Sequence, residues 1–210
     1  MIERLGIDAN RLTFTARAAG PERGRGVILL HGFPQTSWSW RGQLSELGDA
    51  GYRAVAPDQR GYSPGARPST VADYRLDHLV GDVLALAYAM GMDTFDLVGH
   101  DWGGMVSWVA AARHPDRVRS LSVVSTPHPF ALRAALLGGD PAQFERSAQM
   151  DARCPRGCSS ARTVRVSGLE ALCTASGLGV ANTRQYLAVL TRPGALTAAL
   201  NGTAPWTGTS

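Results

Sequence analysis

The sequence predicts an α/β fold: a mostly parallel sheet with helices on both faces, followed by a partial helical cover. Three observations lead there. Short apolar runs alternate with longer segments of helical periodicity from residue 10 to about 126, the order that builds a parallel sheet flanked by helices. Val27 to Leu30 is an unbroken apolar run, as suits a strand buried on both faces. A tight glycine-containing turn, Gly99 to Gly104, joins one strand directly to a helix.

Taken in order, Arg11 to Ala16 reads as a strand and Val27 to Leu30 as a second. Thr36 to Asp49 reads as a helix, and Tyr52 to Ala56 as a strand stopped by Pro57-Asp58. The Gly, Pro and Ser of residues 59–70 mark a loop. Residues 71–90 are predicted helical, because Leu76, Leu79, Val80, Val83, Leu84, Leu86 and Ala87 recur at helical spacing. Phe95 to Val98 is a short strand, Met105 to Ala112 a helix and Val118 to Val124 a further strand. From Pro127 the pattern changes to helices and loops, with short helices expected at Phe130 to Leu137, Pro141 to Met150 and Thr183 to Leu190. We therefore expect a core over residues 1–126 and a partial helical lid over 127–210, in which 151–166 and 202–210 look anomalous. No internal repeat is evident.

The composition of the 210 residues, 44% hydrophobic and 18% charged, is that of a globular domain. All 21 basic residues are Arg, and the net charge is +4. Arg153, Arg156, Arg162 and Arg165, set against Asp151, lie in one short stretch that carries most of this excess. The basic balance is local and lacks interleaved aromatics, which argues against nucleic acid as a partner. No secretory leader and no apolar run of membrane-spanning length is visible, so a cytoplasmic protein is expected. Cys154, Cys158 and Cys173 read as free thiols, an odd number with no metal-site spacing. No cofactor and no metal is expected.

The chemistry concentrates in Val98-Gly99-His100-Asp101-Trp102-Gly103-Gly104. A strand, a strained turn and a helix push the residue at the apex into a cleft, and the apex here is Asp101. A carboxylate in that place attacks carbon to give an ester on the protein, which suits epoxides and alkyl halides. A Gly-x-Asp-x-Gly string alone is equally a plain turn or helix cap. A second motif, His31-Gly32-Phe33-Pro34-Gln35, follows the strand Val27 to Leu30. In folds with such a turn, the oxyanion is held by the N–H after the nucleophile and by one from this earlier loop. Those donors are the backbone N–H groups of Trp102 and Phe33. His31 is expected to make structural hydrogen bonds, and His31, Pro34 and His100 to border the substrate pocket.

These residues, with Asp58-Gln59-Arg60-Gly61-Tyr62-Ser63 and Ser125-Thr126-Pro127-His128-Pro129, resemble the epoxide-hydrolase branch of the α/β-hydrolase superfamily over about residues 10–150. The resemblance implies that Asp101 attacks an epoxide carbon and that Trp102 lines the site. It also implies a His base with an acidic partner, two lid tyrosines that donate to the epoxide oxygen, and a small-molecule substrate. Haloalkane dehalogenases are similar and share an Asp-Trp pair, but the Phe33-Pro34-Gln35 continuation favours epoxides.

The chain also departs from that pattern. After Asp101 the remaining histidines are His114, at a helix end, and His128, just past a strand. Neither is expected to serve as the base, so the sequence predicts a truncated chain lacking the base and its acid. A catalytically inactive fragment is then a further reading. Pro193 to Asn201 fits the family's lid, whose members continue Trp-Tyr-Arg, yet here Gly202-Thr203-Ala204-Pro205-Trp206 follow. One restored base before them would recover that wording. A similar shift of frame would make residues 151–166 lid-like. With Val118 to Val124 left as an unpaired edge, poor solubility is expected.

Overall fold

The computed structural model describes residues 1–138, 166–175 and 177–203. It contains one six-stranded sheet in the order β1-β2-β4-β3-β5-β6. The strands are β1 (Glu3–Ala9), β2 (Leu12–Ala19), β3 (Arg25–Leu30), β4 (Tyr52–Pro57), β5 (Phe95–His100) and β6 (Val118–Val124). The pairs β3–β4, β3–β5 and β5–β6 are parallel. The pairs β1–β2 and β2–β4 are antiparallel. The expected mostly parallel sheet is present, extended at one edge by a hairpin.

That hairpin corrects the first predicted strand. Arg11 is not in a strand: Ala9 pairs with Leu12, so Asn10 and Arg11 form a two-residue turn. Their φ values of 51° and 63° are both left-handed, as a turn matching the twist of a hairpin demands. Leu5, Ile7 and Ala9 alternate with the exposed Arg4, Gly6 and Asp8 in β1, the period-2 pattern of a half-buried strand.

The central strands are covered on both faces. Ile28 and Leu30 pack with Leu79, Val80 and Val83 of one helix and with Val106 and Ala110 of another. These helices are α2 (Leu76–Ala89) and α3 (Trp102–Arg113). Val27 and Leu29 point the other way, into a cluster with Trp40, Leu44, Ala54 and Ala56, beneath α1 (Arg41–Asp49). Alternation along β3 thus divides the core between the two helical layers.

Two predicted helices begin later than expected. Thr36 caps a 3-10 turn over Ser37–Trp40 before α1 starts; there the Ser37 N–H is taken by Asp58 Oδ1 at 2.7 Å. Val71–Tyr74 is another 3-10 turn, cut from α2 by Arg75 at ψ 151°. It is anchored to the preceding loop, since Tyr74 Oη donates to Pro68 O at 2.8 Å and Arg60 Nη1 donates to Asp73 O at 3.0 Å.

Beyond β6 follow α4 (Pro129–Leu137), α5 (Val166–Ala175), α6 (Val180–Leu190) and α7 (Ala195–Asn201). The expected helix at Pro141 to Met150 lies outside the described residues, as do Cys154, Cys158 and nearly all of the Arg-rich stretch. Cys173 is buried within α5. Leu169 of α5, Leu190 of α6 and Ala199 of α7 pack on Tyr62 beside Phe33, and Trp38 Nε1 donates to Asn182 Oδ1 of α6 at 3.3 Å. These helices therefore sit over the carboxyl ends of the strands. Among the described residues β6 is paired on one side only, with Val124 48% exposed. No described helix is long and apolar enough to cross a membrane.

Candidate active site

Asp101 stands between β5 and α3 with φ 52° and ψ −122°. That conformation costs a non-glycine residue about 1–3 kcal/mol and persists only where neighbours over-determine it. Here they do. Asp101 N–H donates to Val124 O at 3.2 Å. Its carbonyl accepts from Met105 N–H at 3.2 Å and from Thr126 Oγ1 at 2.8 Å. The turn is also pressed against β3: a Cβ on Gly103 would meet Leu30 O at 2.5 Å and His31 O at 2.6 Å.

The loop after β3 reaches the carboxylate from the other side. Phe33 N–H donates to Asp101 Oδ1 at 3.0 Å, and Gln35 N–H closes a turn on Gly32 O at 2.9 Å. A Cβ on Gly32 would overlap the Asp101 carboxyl group, so only glycine lets the loop approach this closely. The Phe33–Pro34 peptide is cis. Trp102 opens α3 directly after Asp101.

His31 makes the structural bonds expected of it. Its ring is fully buried, and Nε2 accepts from Gln59 N–H at 3.2 Å. That pattern assigns the proton to Nδ1, which lies 3.0 Å from Gly32 O. Burial lowers the His31 pKa despite the nearby Asp58 carboxylate, so the ring is neutral. Gln59 Nε2 donates to His31 O at 2.5 Å, tying the loop after β4 to the loop after β3. Tyr62 meets the His31 ring edge-on, with centroids 4.5 Å apart. Burial, together with the Asp101 and Asp58 carboxylates, pushes its phenol pKa up, so it stays protonated.

Arg60 braces the same loop. Its Nε and Nη2 donate to Asp82 Oδ2 and Oδ1, both at 2.7 Å, and Asn10 Nδ2 adds a bond of 2.7 Å to Oδ1. The Arg60 and Asp82 side chains are 7% and 6% exposed. Gln59, Arg60, Tyr62 and Thr126 all occur in the sequence motifs. Their supporting work was not assigned because their partners lie far away in the chain.

A cavity of about 20 Å³ lies against His31, Gly32, Tyr62, Trp102 and Thr203, room for one water. His31 is thus a wall of it, whereas Pro34 and His100 are not. His100 Nδ1 is buried without a hydrogen-bond partner. A larger cavity, about 670 Å³, lies around Arg25, Met90, Asp93 and Arg119, at the opposite ends of the strands. His114 follows α3 at its carboxyl end. The His128 ring packs on Trp108 at 4.7 Å and accepts the Phe130 N–H at 3.3 Å. Among the described residues neither histidine hydrogen-bonds Asp101, and no cluster of three or more His, Cys, Asp or Glu could hold a metal.

Comparison with known proteins agrees with this architecture. The chain is 39% identical over 127 residues to AB hydrolase superfamily protein YfhM of Bacillus subtilis, covering 60% of this chain and 44% of that protein. It is 42% identical over 125 residues to epoxide hydrolase A of Mycobacterium tuberculosis, covering 60% and 38%. The matches thus span about two fifths of the length of these relatives. Among solved structures, an epoxide hydrolase of Bacillus megaterium in complex with an inhibitor superposes with a TM-score of 0.83 at 26% identity, covering 97% of this chain and 71% of that one. Epoxide hydrolase VrEH1 of Vigna radiata superposes with a TM-score of 0.76 at 28% identity, covering 96% and 70%. A family model described as alpha/beta hydrolase fold matches residues 26–182. The chain belongs to the α/β-hydrolase fold family.

Proposed function

We propose that the chain carries the ester-forming half of an epoxide hydrolase, with Asp101 as nucleophile. The observation that carries this reading is the Asp101 carboxylate itself, held on a left-handed turn at φ 52° with Phe33 N–H on one oxygen at 3.0 Å. The other oxygen attacks an epoxide carbon, the ring C–O bond breaks, and the alkoxide takes a proton from solvent. The product is a hydroxyalkyl ester of Asp101. Phe33 N–H already contacts the oxygen that becomes the ester carbonyl. With Trp102 N–H it would hold the oxyanion formed when water attacks that carbonyl. Hydrolysis then frees a vicinal diol and restores the carboxylate.

That second step needs a general base. His31 is excluded by its buried, doubly bonded ring. His114 lies past the far end of α3, and His128 is engaged by the Phe130 N–H. The reading is supported by relatives and solved structures named as epoxide hydrolases, and the substrate is a small molecule. An intact-mass measurement after incubation with styrene oxide tests it, with Asp101→Asn as control. A protein mass raised by one epoxide, absent in the control, is expected. An unmodified protein with no diol formed would refute the proposal and leave a catalytically inactive chain. Bromide release from an alkyl bromide, without reaction of the epoxide, would indicate a dehalogenase-like site instead.

A further inference from the structure

A third cavity, about 190 Å³, shares the Tyr62 side chain as a wall but is lined by different chemistry. Arg4 of β1, Arg17 of β2 and Arg192, just past α6, all border it, together with Trp38, Gln185 and Asp58. Three arginines and one carboxylate residue therefore border the same cavity. That carboxylate is already engaged, because Asp58 Oδ1 accepts the Ser37 N–H at 2.7 Å. None of the three arginines takes part in an ion pair among the described residues. Among the described residues, Arg192 donates its Nε to Ala188 O at 3.2 Å.

Arg17 is the informative member. Its Nε is buried with no hydrogen-bond partner, an uncommon state for a charged donor. Its guanidinium lies over the Trp38 ring, 4.9 Å from the centroid, which fixes its plane. Burial and the Arg4 charge lower its pKa against the pull of Asp58. A guanidinium stacked in place on Trp38, beside a second cation and with no ion pair of its own among the described residues, is arranged for an anion, and its planar fork suits an oxyanion.

We propose that this cavity binds a small oxyanion, a phosphate or a carboxylate, between Arg17, Arg4 and Arg192. The volume suits that class, since a cavity of about 150 Å³ holds a benzene ring. Because Arg192 follows α6 whereas Arg4 and Arg17 belong to the sheet, the anion ties the helical cover to the core. The site is independent of the chemistry proposed for Asp101.

Isothermal titration of the full chain with inorganic phosphate, and separately with benzoate, tests this at matched ionic strength. A single saturable site is expected for at least one of them, weakened at least 10-fold in Arg17→Gln and in Arg192→Gln. Thermal melting should rise with the anion in the parent chain and stay flat in the variants. The titrant that binds identifies the source of the oxyanion. No saturable binding, affinity unchanged in both variants, or the same heats from sodium chloride would overturn the proposal. Arg192 is exposed, so its variant decides the matter even if Arg17→Gln fails to fold.

Discussion

Replacing Arg60 by Met removes a buried cation and strands its partner. Asp82 is 6% exposed and receives two guanidinium bonds of 2.7 Å. Breaking such a pair from one side costs about 3–5 kcal/mol, because an uncompensated charge stays buried. Asn10 Nδ2 at 2.7 Å still serves Asp82, which keeps the loss within that range. The Asp73 carbonyl also loses its bond from Nη1, a smaller effect of about 1 kcal/mol that the added Met surface partly offsets. Against a total margin of about 5–15 kcal/mol, the variant should be severely weakened, with melting lowered by roughly 6–20 °C. Urea denaturation followed by circular dichroism gives the number. Adding Asp82→Leu removes the orphaned charge, so the double variant should regain at least about 2 kcal/mol. A single variant costing under about 1 kcal/mol, or a double variant as unstable as Arg60→Met, would refute the reasoning.

Three other outcomes follow from the geometry. Gly32→Ala should abolish labelling of Asp101 by styrene oxide, because its Cβ would overlap the Asp101 carboxyl group, while global unfolding shifts by only about 1–3 kcal/mol; labelling at the parent rate would contradict this. Because burial lowers the His31 pKa, the unfolded chain binds the proton first as pH falls. Stability from this group should be full above about pH 6.5 and fall below it, a slope that urea titrations should find reduced in His31→Gln. On the open edge, Val124→Lys should reduce aggregation measured by light scattering, since Val124 is 48% exposed on β6 and edge charges block strand addition; unchanged scattering would place the association elsewhere.

The α/β architecture was legible because β3 to β6 and the helices between them carry strong periodicity. β6 was read with its observed limits, and the Gly99 to Gly104 turn was read from its glycines together with the apolar strand before it and the helix-forming run after it. The hairpin edge was harder. β1 shows period-2 alternation, but its turn uses Asn10-Arg11 in place of a glycine pair, so Arg11 read as strand. The 3-10 turns at Ser37–Trp40 and Val71–Tyr74 depend on Asp58 and on Arg60 and Pro68, tertiary partners that no local pattern reveals. Within the site, Asp101, Phe33 and His31 were legible from motifs. The bracing of His31 by Gln59 and Tyr62 was not, because a motif names residues without saying which of them meet. The Arg4, Arg17 and Arg192 cluster was equally hidden, since its members come from positions spread along the chain.

The central claim is that Asp101 is a nucleophile, and peptide mapping tests it most directly. The chain would be incubated with styrene oxide, quenched in acid, digested and sequenced by tandem mass spectrometry. The account predicts a hydroxyalkyl ester on the side chain of Asp101, lost in Asp101→Asn. Modification spread over cysteines and surface carboxylates, with Asp101 untouched, would contradict it.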